Sequence, residues 1–200
     1  CESERPRVLI LASQWTHCLA DLLQRYSSGE LKVNIVGILS NHADQAAELA
    51  SQHKVPFEHL KIDASGKAAA ERRILTIMQE QAVDLTVLAR YMQILSDDFC
   101  QQAPCPVINI HHSFLPSFKG ARPYHQAFAR GVKIVGATAH YVTADLDEGP
   151  IIEQDVARVN HAMDCKGLVE IGRELEQTVL ERAVKLRIRH RVLTTGTRTV

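Results

Sequence analysis

Four short runs of consecutive apolar residues, each followed by helical periodicity or a turn, constrain this chain more than any other feature. They lie at residues 7–12, 33–39, 83–89 and 106–110. A strand with one face in water alternates apolar and polar residues, whereas a near-continuous apolar run is buried on both faces, as in a parallel sheet. Pro106 opens its run, the position where a missing N–H costs least. A weaker strand is expected at residues 57–61. Between the runs, Leu19, Leu22, Leu23 and Tyr26 share one helical face. Ala43, Ala46, Ala47 and Ala50 share another, and Ala70, Ile74, Ile77 and Met78 a third. Strand and helix alternate, so the expected class is α/β, with a doubly wound, mostly parallel central sheet and helices on both faces.

After Ile110 the texture changes. Residues 111–123 carry two His, two Pro and a Gly and read as a loop. A short helix is expected over residues 124–130, ended by Gly131 in a left-handed cap. Residues 133–143 and 150–159 read as two strands joined by an acidic turn, Asp145-Leu-Asp-Glu-Gly149. A long helix follows, with Asp164 as N-cap and Leu168, Ile171, Leu175, Val179 and Leu186 on one face. The chain of 200 residues shows no repeat or internal linker. One domain over residues 7–200 is expected, with residues 1–6, which open on Cys1, as a linker remnant.

Composition removes several function classes. Lys plus Arg number 23 and Asp plus Glu 23, a formal net charge of zero. Nucleic-acid binding usually leaves a basic excess, so no nucleic-acid partner is expected. No stretch approaches the roughly 18 apolar residues that a bilayer-spanning helix needs, and residues 1–6 hold no signal-peptide core, so no membrane partner is expected either. The cysteines are five, Cys1, Cys18, Cys100, Cys105 and Cys165, without CxxC spacing. Reduced thiols in a cytoplasm fit that pattern better than a disulfide framework. The first strand–helix junction, Ser13-Gln-Trp-Thr-His-Cys18, lacks the glycines that let a backbone approach a pyrophosphate, and no Walker A sequence occurs. Nicotinamide, flavin and ATP are therefore not expected.

The segment Asn109-Ile-His111-His-Ser-Phe-Leu-Pro116 stands where a buried strand ends. Ligands of open α/β sheets bind beyond the carboxyl ends of the strands. Asn109 and His111 alternate with Ile110, so both side chains point to one side. Imidazole suits proton transfer near neutral pH, and an amide N–H suits a developing oxyanion. Equally, the pair reads as a polar strand end satisfied by neighbouring loops. Asp147 in the acidic turn would orient an imidazole and stabilise its charged form. A solvated turn explains Asp145 adequately and leaves Asp147 open. His111, His112, His125 and His140 with Asp147 could furnish a zinc site, but the sequence has no HExxH and no paired Cys/His spacing, so no metal is expected. His53, His59, His161 and His190 fall in segments that read as surface. Arg90-Tyr91-Met92 follows a buried strand and either lines a pocket or begins the next turn. The basic run at residues 185–191 resembles a nucleic-acid patch, but at the end of an amphipathic helix it reads as complementing the helix dipole.

Asn109-Ile-His111 with Leu115-Pro116, followed by Asp147-x-Gly-Pro, resembles the formyltransferase family that uses 10-formyltetrahydrofolate. The doubled histidine in His111-His112-Ser-Phe-Leu-Pro-Ser-Phe, with Gly120-Ala-Arg-Pro-Tyr-His-Gln-Ala127 and Gly136-Ala-Thr-Ala-His-Tyr-Val142, is similar to the formyltetrahydrofolate deformylase branch. The similarity runs from Arg7 to Thr199. It implies a Rossmann-like formyltransferase fold and hydrolysis of 10-formyltetrahydrofolate to tetrahydrofolate and formate, within one-carbon and purine metabolism. The resemblance makes Asn109, His111 and Asp147 catalytic. It places Arg90, Tyr91, Met92, Val142, Thr143 and Asp145 around the pterin, with His112 in an orienting role. It implies a folate substrate, no tightly bound cofactor and a homo-oligomer. Deformylases of this branch usually carry an N-terminal ACT domain, which is expected to be absent here, with residues 1–6 as the stump of a linker. Transformylases of the family grip a ribonucleotide phosphate with a glycine-rich first loop. Here Trp15 and His17 occupy that loop, which favours water as acceptor over an amine such as glycinamide ribonucleotide.

Overall fold

The structure, a computed structural model, describes residues 5–62, 66–117, 123–160 and 162–200. The expected linker remnant and His161 fall wholly or largely outside the described residues. The first apolar run forms β1 (Arg7–Ala12). Its residues divide between two cores: Val8, Ile10 and Ala12 face one side, Leu9 and Leu11 the other, each no more than 2% exposed. That two-sided burial is why the run is continuous rather than alternating.

The other runs give β2 (Asn34–Ser40), β4 (Leu85–Ala89) and β5 (Val107–His111), and the weak segment shortens to β3 (Phe57–His59). These five strands are parallel. Beyond them β6 (Ile134–Tyr141) pairs antiparallel with β5, and β7 (Ile151–Arg158) antiparallel with β6. The sheet order is β3-β2-β1-β4-β5-β6-β7.

Helices cover both faces, as the alternation requires. On one lie α1 (His17–Ser28), α2 (Asp44–Gln52) and α6 (Cys165–Ile188), whose Leu19, Leu22, Ala46, Ala50, Val179 and Leu180 join the core of Val8 and Ile10. On the other, α3 (Lys67–Glu80) sets Ile74 and Met78 against Leu9 and Leu11. Asp164 caps α6 as expected, its carboxylate accepting the Gly167 N–H at 2.8 Å. The helix α5 (Pro123–Ala129) ends near Gly131, whose φ is +61°. Two elements escaped the sequence patterns: α4 (Asp97–Gln102), capped by Ser96 Oγ on the Phe99 N–H, and the small hairpin β8 (Thr194–Thr195) with β9 (Arg198–Thr199). Both are too short to show a periodicity. Among the described residues no helix is long and apolar enough to cross a membrane.

Candidate active site

The carboxyl ends of β4 and β5, the end of β6 and the turn after it enclose a pocket of about 310 Å³. Its lining includes Asn109, His111 and Asp147, together with Arg90, Tyr91, Met92, His112, Val142 and Thr143. Nine of the ten site residues expected from sequence are thus brought together. Asp145 is the exception. It is exposed in the turn, and its carbonyl accepts the Thr143 hydroxyl at 3.1 Å. Ile94, Leu95 and Leu146, which sequence reasoning did not single out, add apolar surface to the wall.

His111 is 5% exposed. Its Nδ1 stands 3.4 Å from Asp147 Oδ1, while its Nε2 is buried without a hydrogen-bond partner among the described residues. A buried ring nitrogen left unpaired costs free energy unless a ligand meets it. Burial pushes the Asp147 carboxyl up, but the His111 contact and the nearby His140 outweigh it and hold the group below the usual carboxylate range. Asp147 adopts φ +57° and Arg90 φ +63°. Backbone strain of this kind gathers at functional sites.

Gly149 is what lets the acidic turn return so closely. A Cβ there would lie 1.8 Å from the Tyr141 carbonyl oxygen. On the other side, Thr138 Oγ donates to the Ser113 carbonyl at 2.9 Å and accepts the Leu115 N–H at 3.0 Å, fixing the loop that follows His111. His112 is largely buried beside Tyr124, their ring centroids 6.1 Å apart. Desolvation, helped by the positive charge of Arg90, pulls the His112 pKa down to about 3, so the ring is neutral at physiological pH.

Of the four histidines considered as metal ligands, His111, His112 and His140 line this pocket, whereas His125 is exposed on α5. The described group with the closest cation-ligand spacing lies elsewhere, at His17, Cys18 and Glu176. It is poorly suited to a cation, because Arg90 Nε stands 3.3 Å from the same Glu176 carboxylate. Glu176, 1% exposed, also meets His17 Nε2 at 2.8 Å and accepts the Tyr124 hydroxyl at 2.7 Å. The first loop is therefore filled by side chains, with Trp15 stacked under the Arg173 guanidinium at 4.8 Å.

A parallel sheet extended by an antiparallel pair, with amide, imidazole and carboxylate at its mouth, defines the class: the formyl transferase family model matches residues 6–184. The chain is 52% identical over 195 residues to the formyltetrahydrofolate deformylase of Synechocystis sp., covering 98% of this chain and 68% of that protein. It superposes on a formyltetrahydrofolate deformylase from Pseudomonas syringae pv. tomato with a TM-score of 0.94 at 46% identity, covering 99% of this chain and 66% of that one. A glycinamide ribonucleotide transformylase from Symbiobacterium toebii shares the fold at a TM-score of 0.90 and only 29% identity, with 99% and 94% covered. The chain belongs to the formyl transferase family, and within it to the formyltetrahydrofolate deformylases. It spans about two thirds of the length of the deformylases it matches.

Proposed function

We propose that this chain hydrolyses 10-formyltetrahydrofolate to tetrahydrofolate and formate, with Asn109, His111 and Asp147 as its catalytic residues. The observation that carries the reading is the buried Nε2 of His111, without a partner among the described residues, in a pocket that Asn109 and Asp147 also line. Water adds to the formyl carbon as His111 takes its proton. Asn109 donates an N–H to the oxyanion that forms on the formyl oxygen. Asp147 orients His111 and stabilises its charged form. Collapse of the tetrahedral intermediate breaks the bond to N10, and His111 returns the proton there. The formic acid released loses its proton to water and leaves as formate.

The pterin lies against Tyr91, Met92 and Val142, with Arg90 and Thr143 as polar contacts. Asp145 acts on the substrate only through the course of the turn. His112, neutral, orients water or the loop. Proton transfer and oxyanion binding are both met by side chains, so the reaction needs no tightly bound cofactor. A reducing cytoplasm suits the free Cys18, Cys100, Cys105 and Cys165. Self-association into a homo-oligomer is supported by β7, a sheet edge with Ile151 and Val156 exposed; a monomeric mass in light scattering at micromolar concentration contradicts it.

Product analysis decides the reaction. Chelated enzyme is given 10-formyltetrahydrofolate with and without glycinamide ribonucleotide. Formate at the same rate in both is expected. Turnover only with the ribonucleotide makes the chain a transformylase instead.

A further inference from the structure

Asn109 and His140 face each other across the β5–β6 ladder. Asn109 Nδ2 lies 3.3 Å from His140 Nε2, and His140 Nδ1 lies 2.9 Å from the Tyr141 carbonyl oxygen. A carbonyl has no proton to give, so Nδ1 carries the hydrogen of that bond. The ring is 3% exposed, and burial holds its pKa below the ordinary histidine value, which keeps it neutral. A neutral ring with its hydrogen on Nδ1 has only a lone pair at Nε2.

That lone pair accepts an N–H and repels an oxygen. The tautomer of His140 therefore selects one of the two amide orientations open to Asn109, the one with nitrogen toward the ring. The nitrogen has two hydrogens. One meets His140, and the second remains for the pocket that Asn109 lines. The opposite orientation sets acceptor against acceptor and carries the amide nitrogen away from this position. The anchor is itself fixed: the Tyr141 N–H donates to the Pro150 carbonyl at 2.9 Å, and the Gly149 turn is pressed against the Tyr141 carbonyl. The pairing of β6 with β7 slips by one residue at His140, an irregularity of the kind that re-aims side chains. The ionisable groups facing His140 are Asp147, 3.7 Å from Nε2, and His111.

We propose that His140 is a positioning residue, a fixed Nδ1–H tautomer that orients the Asn109 amide so that an N–H meets the oxyanion of the formyl group. The assignment rests on the deformylase reading above. His140→Met keeps the bulk without the ring acceptor, and His140→Gln restores an acceptor oxygen near Nε2. Met is expected to lower kcat by about 10- to 100-fold, part of what loss of an oxyanion donor costs. KM should stay within about 3-fold, because the interaction is realised only in the transition state. Gln should recover to within about 5-fold of the wild type. In an Asn109→Ala background the Met substitution should cost less than about 2-fold, since the residue through which it acts is gone. A penalty that multiplies in that background, a Gln variant as slow as Met, or wild-type kcat in Met overturns the proposal. The ring 15N shifts of His140 in the wild-type protein give a readout independent of turnover. Nδ1-protonated shifts are expected, and Nε2-protonated shifts overturn the proposal. If the wild type releases no formate from 10-formyltetrahydrofolate, the activity reading fails while the tautomer result still stands by itself.

Discussion

At the residue scale, the roles proposed for Asn109, His111 and Asp147 are separable, and truncation tests each. Asn109→Ala removes an oxyanion donor, a loss of about 10²- to 10³-fold in kcat. His111→Ala removes the proton carrier, about 10² to 10⁴. Asp147→Ala leaves His111 unoriented and is expected to cost at least about 10²-fold. Steady-state formate release checks all three, and a variant with near-normal turnover leaves the mechanism. His112 makes a different prediction, about stability. Burial holds it neutral down to a pKa of about 3, whereas an unfolded histidine titrates near 6.5. Between those values the unfolded chain binds a proton that the native protein refuses, so stability rises with pH across the window and is lost as pH falls below about 6.5. The lowered carboxyls of Asp147 and Glu176 act in the same direction, but only near and below the carboxylate range, about pH 4. His140, whose pKa burial also lowers, acts in the same window, so His112→Gln should reduce the fall between about pH 6.5 and 5 without abolishing it. Urea unfolding across that range measures it, and an unchanged slope removes burial of His112 as the cause.

At the scale of elements, the turn between β6 and β7 is the most exacting piece. Gly149→Ala would force a Cβ to 1.8 Å from the Tyr141 carbonyl oxygen, a backbone atom that cannot swing away. The turn must shift and carry Asp147 with it. A displacement of about 1 Å at a reacting group costs on the order of 100-fold, so kcat should fall that far while the sheet, held by β1, β4 and β5, stays folded. Near-UV circular dichroism with turnover measures both, and normal turnover means the turn tolerates the shift. Much of this architecture was legible in the chain because the physics is local: a two-sided strand needs a continuous apolar run, and Asp164 needs only Gly167 three residues on. The Asn109–His111 alternation was legible for the same reason. Glu176 was not, since its partners His17 and Tyr124 lie 159 and 52 residues away and no local spacing announces them. His140 could be read only as a possible ligand, because its role depends on which ring nitrogen meets Tyr141 and which meets Asn109. Asp145 went the other way, since its turn was legible but its exclusion from the pocket depends on how the turn folds back.

At the scale of the whole molecule, the pocket is where two kinds of sheet meet. Arg90 and Tyr91 follow β4, in the parallel part, while His140 is the last residue but one of the antiparallel β6 and Asp147 hangs from the turn beyond it. A ligand seated there bridges both parts and binds only when they are assembled. Such a ligand stabilises by mass action, about 2.7 kcal/mol at one hundred times its Kd. For a chain of 200 residues each kcal/mol raises Tm by about 2–4 °C, so tetrahydrofolate at that excess should raise it by about 5–10 °C. His111→Ala should show a comparable rise, since it loses proton transfer and keeps the pterin walls. Amide exchange then locates the effect. Protection should increase together at residues 90–95 and 142–147, which are far apart in the chain and adjacent only in the folded pocket. Protection confined to one of the two segments would mean that the folate does not span the junction, and the reading of the pocket as one site would fail with it.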